Sequence, residues 1–158
     1  MKGHFFSKPI PFKYLLFAAI VLLIPALFIN LGKMPMIGDE SIRALVAFEM
    51  LLSGDWITPT IAGGLYFNKP PLYNWILTLS MWLSGSTAEF WIRFPNQIFL
   101  MVFAAIIFLF TRRQLGNKLA LINGLAIITC GRILLWDANY ALIDISFSLL
   151  VYLSFMLM

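Results

Sequence analysis

GDESIRALVAFEMLLSGDWITPTIAGGLYFNKPPL, residues 38–72, is the stretch that decides the fold. It holds four of the seven acidic residues of the chain, together with Arg43 and Lys69, and strongly apolar runs lie on both sides of it. Unpaired charge inside a bilayer is expensive, so a segment of this composition is expected outside the hydrocarbon core. The pattern therefore predicts a long loop at the membrane surface, flanked by membrane-crossing helices.

The composition places the whole chain in the membrane class. Its 158 residues are 61% hydrophobic and 11% charged, whereas soluble domains carry about 25% charged residues. The net charge of +4 does not indicate nucleic acid, because the basic residues lie at the ends of apolar runs. Cys130 is the sole cysteine, which excludes an intrachain disulfide, and we expect the single histidine, His4, to be solvated. Membrane lipids are the expected surroundings.

Four apolar runs predict about four transmembrane helices in an all-α polytopic protein: residues 14–31, 94–111, 119–136 and 144–158. The first would be about 27 Å long as a helix, close to the hydrocarbon thickness, and Pro25 should bend it. The last would reach only about 22 Å. We therefore expect a single membrane domain that is an N-terminal fragment of a longer protein.

A fifth apolar run, residues 72–83, is too short to span a bilayer, and the charges agree with placing it at the interface. With that placement six basic residues fall on one side: Lys2, Lys8, Lys13, Arg112, Arg113 and Lys118. All acidic residues then fall at or near the other side. The positive-inside rule therefore predicts a multi-pass protein of the cell membrane with a cytoplasmic N-terminus, an outer loop over 32–93 and a short inner loop over 111–118.

Two juxtamembrane helices are expected in the outer loop, over about 39–52 and 71–84. Gly54 should end the first, and Pro70, Pro71 and Gly85 suit the start and end of the second. Asp39 has two interpretations, an N-cap of the first helix or a functional carboxylate. It is also spaced to pair with Arg43 at i, i+4.

Three further charged residues also have two interpretations each. Lys69 is either a lysine reaching the headgroups or a point charge for a phosphate group. Arg132, inside the third long span, is either a snorkelling side chain or a functional group at membrane depth. Asp144, at the start of the fourth span, is either an N-cap or such a functional group. Asp137 is expected to be solvated. A site for a phosphate-bearing lipid or another anionic substrate would explain the gathered charges.

The outer-loop pattern resembles a known family. The residues that carry the resemblance are Asp39-Glu40, Glu49-Met50-Leu51, Gly54-Asp55-Trp56, Pro59, Tyr66-Phe67, Lys69-Pro70-Pro71-Leu72 and Trp75, with Asp144 further along. They resemble the N-terminal part of GT-C type integral-membrane glycosyltransferases, in the family 39 branch that includes the protein O-mannosyltransferases and the lipid A aminoarabinose transferase. The resemblance implies a GT-C-like N-terminal fold and a sugar donor carried on a polyprenyl phosphate.

Roles for individual residues follow from this resemblance. It implies that Asp39 is catalytic and deprotonates or orients the acceptor hydroxyl, for which a carboxylate base is suited. It places Lys69 near the donor phosphate, where a fixed cation would stabilise the leaving group. The residues assigned to substrate binding are Glu40, Arg43, Tyr66, Asn68, Lys69, Arg132 and Asp144.

The chain departs from the aminoarabinose branch at two positions. A glutamate that helps to hold a metal there is Asn68 here, so we assign no metal ligand and no certain cofactor, and a divalent metal stays open. An arginine three residues after the first aspartate is Ile42 here, followed by Arg43. The sugar and the acceptor can differ accordingly.

The leading hypothesis is a glycosyltransferase, of hexosyl or pentosyl type, that acts on the outer face of the membrane. Its partners would be a polyprenyl-phosphate-linked sugar and an acceptor that is lipid A, a protein or a glycan. The alternative is a non-catalytic membrane module or an inactive remnant of a truncated gene. A transporter, suggested by Arg132 and Asp144 alone, would leave the polar outer loop unexplained.

Overall fold

The computed structural model describes residues 11–158, so expectations for Lys2, His4 and Lys8 lie outside it. The elements in chain order are α1 (Phe12–Phe28), α2 (Asp39–Ser53), β1 (Thr60–Ile61), β2 (Gly64–Leu65), α3 (Leu72–Ser84), α4 (Glu89–Thr129), α5 (Gly131–Leu135), a 3₁₀ turn (Asp137–Asn139) and α6 (Asp144–Leu157). Helices dominate this part of the chain, and the two short strands pair antiparallel. The prediction of an all-α protein is confirmed.

The helices of the outer loop begin and end where the sequence predicts. Gly54 and Gly85 follow α2 and α3 in the left-handed conformation, with φ of 72° and 63°, which glycine adopts at low cost. The two helices pack closely, and the buried hydroxyl of Thr78 donates to the carbonyl of Ala47 at 3.1 Å. Small residues on α2 and larger ones on α3 build the core between them: Ala44, Ala47, Tyr73, Leu77 and Met81. This pair of helices is the platform that carries the charged residues of the loop.

The β-hairpin is fastened to α2 by one carboxylate. Glu49 accepts hydrogen bonds from the Thr60 hydroxyl at 2.7 Å and from the Ala62 amide at 2.5 Å. Ala62 and Gly63 both have positive φ, as a tight two-residue turn requires. The Glu49 carboxylate therefore joins α2 to the β-hairpin.

Helix α4 doubles back at Gly116, where φ is 75° and ψ is 166°. Residues 104 and 124 would lie about 30 Å apart in a straight helix. Instead, a Cβ added at Gly124 would lie 2.9 Å from the carbonyl oxygen of Ala104. The chain thus reverses within the predicted inner loop over 111–118 and stays helical there except at Gly116, whose missing side chain permits the reversal.

The predicted helix over 119–136 is interrupted. Cys130 leaves the helical conformation, with φ of −56° and ψ of 123°, and the short helix α5 follows. Arg132 therefore lies in a separate helical turn and not inside a continuous span, and its side chain is 79% exposed. Asp137, expected to be solvated, is buried at the start of the 3₁₀ turn, because this turn packs against α4.

By length and composition, one helix within residues 11–158 can cross a membrane, namely α4. A second qualifies if Gly131–Asn139 and Asp144–Leu157, which meet at a bend of 118°, are taken as one broken span. The apolar helix α1 is shorter, and much of its surface is exposed. Its end packs through Leu27 against Leu100 and Ala104 of α4. The positions of the helices relative to a bilayer stay a prediction.

Candidate active site

Asp39 and Lys69 meet at the surface of the outer loop. The ammonium group of Lys69, in the extended segment before α3, donates to Oδ2 of Asp39, the first residue of α2. The side chain of Lys69 is 25% exposed, and that of Asp39 is 55% exposed. Asp39 is not an N-cap, because the cap position is Gly38 and no side chain caps the helix. The expected pair with Arg43 is also wrong, since Lys69 takes the carboxylate.

The environment of Asp39 favours its ionised form. The hydrogen bond from Lys69 lowers the pKa of the Asp39 carboxyl below its usual value, and the charges of Lys69 and Arg43 act in the same direction. Partial desolvation opposes this shift without reversing it. Asp39 is therefore a carboxylate in contact with a cation and open to solvent.

Pro70, the residue after Lys69, lines an apolar cavity of about 300 Å³, together with Tyr73 and Ile76 of α3. Phe99 of α4 and Phe147 and Leu150 of α6 also line it. Asp39 and Lys69 are not among the lining residues, and Lys69 is joined to the cavity wall through its neighbour Pro70. An apolar cavity with a cation on the residue next to its wall suits an amphiphilic ligand with a charged head.

Glu40, next to Asp39, has a different environment. Its fully buried carboxylate accepts hydrogen bonds from Arg93 Nε at 2.7 Å, from Arg93 Nη2 at 3.0 Å and from the Ala141 amide at 2.8 Å. Arg93 Nη1 also donates to the carbonyl of Leu31 at 2.8 Å. We therefore correct the assignment of Glu40 to substrate binding: its carboxylate joins α2 to α4 and to the segment before α6.

Arg93 is the residue that the sequence analysis missed. It lies on the first turns of α4 with Asn96 and Gln97, and all three side chains are completely buried. Asn96 Nδ2 donates to the carbonyls of Asp137 and Tyr140 at 2.7 and 2.8 Å. Their spacing at i, i+3 and i+4 puts them on one helix face. Three polar residues on one face of an otherwise apolar helix are the signal that could have revealed this network.

The two later charged residues are placed differently. Arg132 Nε donates to Asp137 Oδ2 at 3.2 Å, so the nearby Asp137 carboxylate neutralises the charge of Arg132. This contact gives no support to the assignment of Arg132 to substrate binding. Asp144 is exposed at the start of α6, and with Asp137 it lines a cavity of about 170 Å³. Asp144 follows Ile143, the cap residue of α6, so it is not the N-cap.

Arg43 is buried between α2 and α3, 5.4 Å from the centre of the Tyr73 ring. Its Nε and Nη1 make no hydrogen bond to the protein atoms of residues 11–158, and the same is true of the Tyr73 hydroxyl. Burial raises the pKa of Tyr73 above its usual range, and the nearby charges of Glu40 and Asp144 raise it further. Arg43 thus lies over the neutral Tyr73 ring and acts on Asp39 through its positive charge.

Tyr66 and Asn68 lie near the pair, in the segment between β2 and α3. Tyr66 is half-buried, and its amide donates to the Pro59 carbonyl at 2.8 Å, whereas Asn68 is exposed. In the described part of the chain no three His, Cys, Asp or Glu side chains are grouped closely enough to hold a metal ion.

Comparison with known proteins gives consistent results. Residues 68–158 match the sequence model of the family described as dolichyl-phosphate-mannose-protein mannosyltransferase. An undecaprenyl phosphate-alpha-4-amino-4-deoxy-L-arabinose arabinosyl transferase of Edwardsiella ictaluri is 32% identical over 111 residues, which cover 70% of this chain and 20% of that protein. An uncharacterized protein of Aquifex aeolicus is 32% identical over 142 residues, which cover 85% of this chain and 28% of that protein.

Solved structures show the same fold. ArnT from Cupriavidus metallidurans in the apo state matches with a TM-score of 0.76 and 24% identity, covering 84% of this chain and 25% of that one. The same protein bound to undecaprenyl phosphate matches with a TM-score of 0.79 and 23% identity, covering 89% and 26%. The predicted fold class is confirmed. The chain spans between a fifth and about a quarter of the length of these proteins.

Proposed function

Because the chain belongs to the dolichyl-phosphate-mannose-protein mannosyltransferase family, we propose that it acts in the transfer of a sugar from a polyprenyl phosphate carrier to an acceptor at the outer face of the membrane. The observation that carries the proposal is the contact between Asp39 and Lys69, the residue that precedes Pro70 in the wall of an apolar cavity. The cavity would take the start of the polyprenyl chain. Lys69 would take the phosphate.

The electrostatics of the site suit a phosphate. Lys69 supplies a cation, and the N-terminus of α3 adds positive potential two residues further on. One of the similar solved structures carries undecaprenyl phosphate, which has this combination of apolar chain and phosphate. A bilayer-borne donor would enter the cavity sideways, from the lipid.

The chemistry follows from the two charges. Asp39 accepts the proton of an acceptor hydroxyl, whose oxygen attacks the anomeric carbon of the sugar with inversion. The bond from that carbon to the phosphate oxygen breaks, and the phosphate leaves with the bonding electrons. Lys69 stabilises the negative charge that develops on it. Asp144 and Tyr66 would contact the sugar or the acceptor.

The donor class rests on what the similar proteins share. The family description names a mannose on dolichyl phosphate, and the relative from Edwardsiella ictaluri is named for an amino pentose on undecaprenyl phosphate. Both donors are sugars on a polyprenyl phosphate. We propose this donor class, with a hexose or pentose as the sugar and lipid A, a protein or a glycan as the acceptor.

Transfer of labelled sugar from a defined polyprenyl phosphate donor tests the proposal, using the gene product as it occurs in its own membrane. Asp39→Asn should reduce the rate by about 10²- to 10⁴-fold, the range of a lost general base, with unchanged helical circular dichroism. Asp55→Asn is the matched control, because Asp55 accepts its hydrogen bonds from Ile57 and Thr58 of its own loop. Transfer by Asp39→Asn at the unmutated rate would remove Asp39 from the mechanism.

The membrane arrangement is part of the proposal. It places the N-terminus in the cytoplasm, the spans at about 14–31, 94–111, 119–136 (broken at Cys130) and 144–158, and residues 32–93 outside, with their two helices along the membrane. In a Cys130→Ser background, cysteine at exposed Asn68 should react with an impermeant thiol reagent applied from outside, and cysteine at exposed Gln114 should not. The reverse result would invert the topology.

A further inference from the structure

Lys69 is the one group that both parts of the proposed reaction need. In the structure its ammonium is engaged by Asp39, whereas the proposed function requires it at the donor phosphate. We propose that Lys69 exchanges partners: it holds the Asp39 carboxylate while no donor is bound, and it leaves Asp39 for the phosphate when the donor enters. This inference rests on the proposed function and adds an order of events to it.

The geometry permits the exchange. Both side chains are partly exposed, at 25% for Lys69 and 55% for Asp39, so a ligand can approach the pair without opening the core. Lys69 is followed directly in the chain by Pro70, which lines the apolar cavity. Lys69 also lies outside the helices, in the segment just before α3, on a side chain with a flexible four-carbon stem. The ammonium group can therefore move by rotation of its own side chain.

No other cation within residues 11–158 contacts Asp39. Arg43 acts on Asp39 through its charge, from a buried position over Tyr73. Arg93 is committed to Glu40 and to the carbonyl of Leu31. When Lys69 leaves, Asp39 loses its contact partner and faces a new negative charge on the phosphate.

This loss changes the chemistry of the carboxylate. The contact with Lys69 lowers the pKa of Asp39, which makes it a weak proton acceptor. A nearby phosphate in place of the lysine raises the pKa of a carboxyl group. Asp39 would thus become an effective base only when the sugar donor is in place, and the donor would bind before the acceptor loses its proton.

Binding of undecaprenyl phosphate to the chain in detergent micelles tests the exchange without any turnover, and undecaprenol, which lacks the phosphate, is the ligand control. If Asp39 competes for Lys69, Asp39→Asn tightens the binding of undecaprenyl phosphate by roughly two- to five-fold, the size of an exposed ion pair. Undecaprenol binding stays unchanged. Asp55→Asn, which removes the same charge from the same loop away from Lys69, also leaves binding unchanged.

A double-mutant cycle separates competition from plain repulsion between carboxylate and phosphate. In a Lys69→Met background, the gain from Asp39→Asn should shrink, because no lysine remains to be released. An equal gain in both backgrounds overturns the exchange and leaves only repulsion. Unchanged or weaker binding in Asp39→Asn overturns it as well.

A second measurement decides if Lys69→Met binds too weakly for the cycle. A ¹³C titration of the Asp39 carboxyl should show its pKa rising when undecaprenyl phosphate saturates the protein, and staying put with undecaprenol. Bound undecaprenyl phosphate with an unmoved titration overturns the exchange and leaves the proposed function standing. Absence of any undecaprenyl phosphate binding by the unmutated chain overturns both.

Discussion

Asp39 and Glu40 are neighbours in the sequence, and each forms an ion pair, but the two pairs have opposite characters. Asp39 meets Lys69 at the surface, where both side chains are solvated and each is reachable by a ligand. Glu40 meets Arg93 in the interior, where both side chains are completely buried and every described contact is internal. One helix turn thus carries an exposed carboxylate and a buried one side by side.

The difference shows how one site can combine a rigid interior with a surface ion pair that a ligand can displace. A buried ion pair is strongly destabilising to break, because one charge is then left without a partner in a medium of low dielectric constant. An exposed pair contributes little, so it can be exchanged for a ligand at small cost. The buried pair fixes the start of α2, and the exposed pair, which involves Asp39 on the same turn, can be broken without disturbing that interior.

Breaking the buried pair should give the largest effect. Arg93→Gln leaves the Glu40 carboxylate without its guanidinium and should lower the free energy of unfolding by about 3–5 kcal/mol. Denaturant titration of the chain in micelles, followed by circular dichroism, measures the change. Arg112→Gln is the matched control, because Arg112 is exposed and its loss should change stability by less than about 0.5 kcal/mol.

A double variant sharpens this result. Glu40→Leu combined with Arg93→Met removes both charges together, and replacing a buried pair by apolar residues is often near neutral. We expect it to be more stable than either single charge removal. If the double variant loses as much unfolding free energy as the two single variants together, Glu40 and Arg93 contribute to stability independently of each other.

The amide neighbour of Arg93 should have the next largest effect. Asn96→Ala removes two buried hydrogen bonds to the carbonyls of Asp137 and Tyr140, which should cost about 1–3 kcal/mol. Gln97→Ala removes a single bond, to Ala138, and should cost less. The same denaturant titration checks the ranking, and a Gln97 variant less stable than the Asn96 variant would contradict it.

Much of the fold could be predicted from local sequence signals. Gly54, Pro71 and Gly85 mark helix ends because their backbone preferences act within a few residues, and the structure agrees at each position. The partner of Asp39 is another matter. The local rule favours Arg43, one turn away, whereas the structure selects Lys69, 30 residues further along the chain. The packing of α3 against α2 brings Lys69 close, and no local pattern encodes that packing.

The candidate site was predictable only in part for the same reason. Family resemblance pointed to Asp39 and Lys69, and the structure brings them into contact. It could not separate Glu40 from Asp39, because burial depends on what lies opposite each side chain. Arg93, 53 residues from Glu40, and Ala141, 101 residues away, supply that environment. Reversals such as that at Gly116 depend on one φ angle, which composition does not reveal.

Removing the exposed pair should have a small effect on stability. Lys69→Met should change the free energy of unfolding at neutral pH by less than about 1 kcal/mol, the usual range for a solvated pair. The measurement is the same as for Arg93→Gln, and the contrast between the two variants is the comparison in numerical form. A loss as large as that of Arg93→Gln would show that the surface pair is structural too.

Acidification should reveal the smallest effect. Lys69 lowers the pKa of Asp39 below its usual 3.8, so the pair stabilises the folded chain fully above that pH. The contribution is lost as the pH falls through the lower folded-state value, where Asp39 takes up a proton. The difference in unfolding free energy between the unmutated chain and Asp39→Asn should therefore be constant from pH 7 to pH 5 and shrink as the pH falls below 3.8. In a Lys69→Met background, the change in unfolding free energy caused by Asp39→Asn should be smaller at every pH, because the cation that holds the carboxylate is gone. If this change does not depend on pH in the chain that retains Lys69, the pair does not stabilise the folded state.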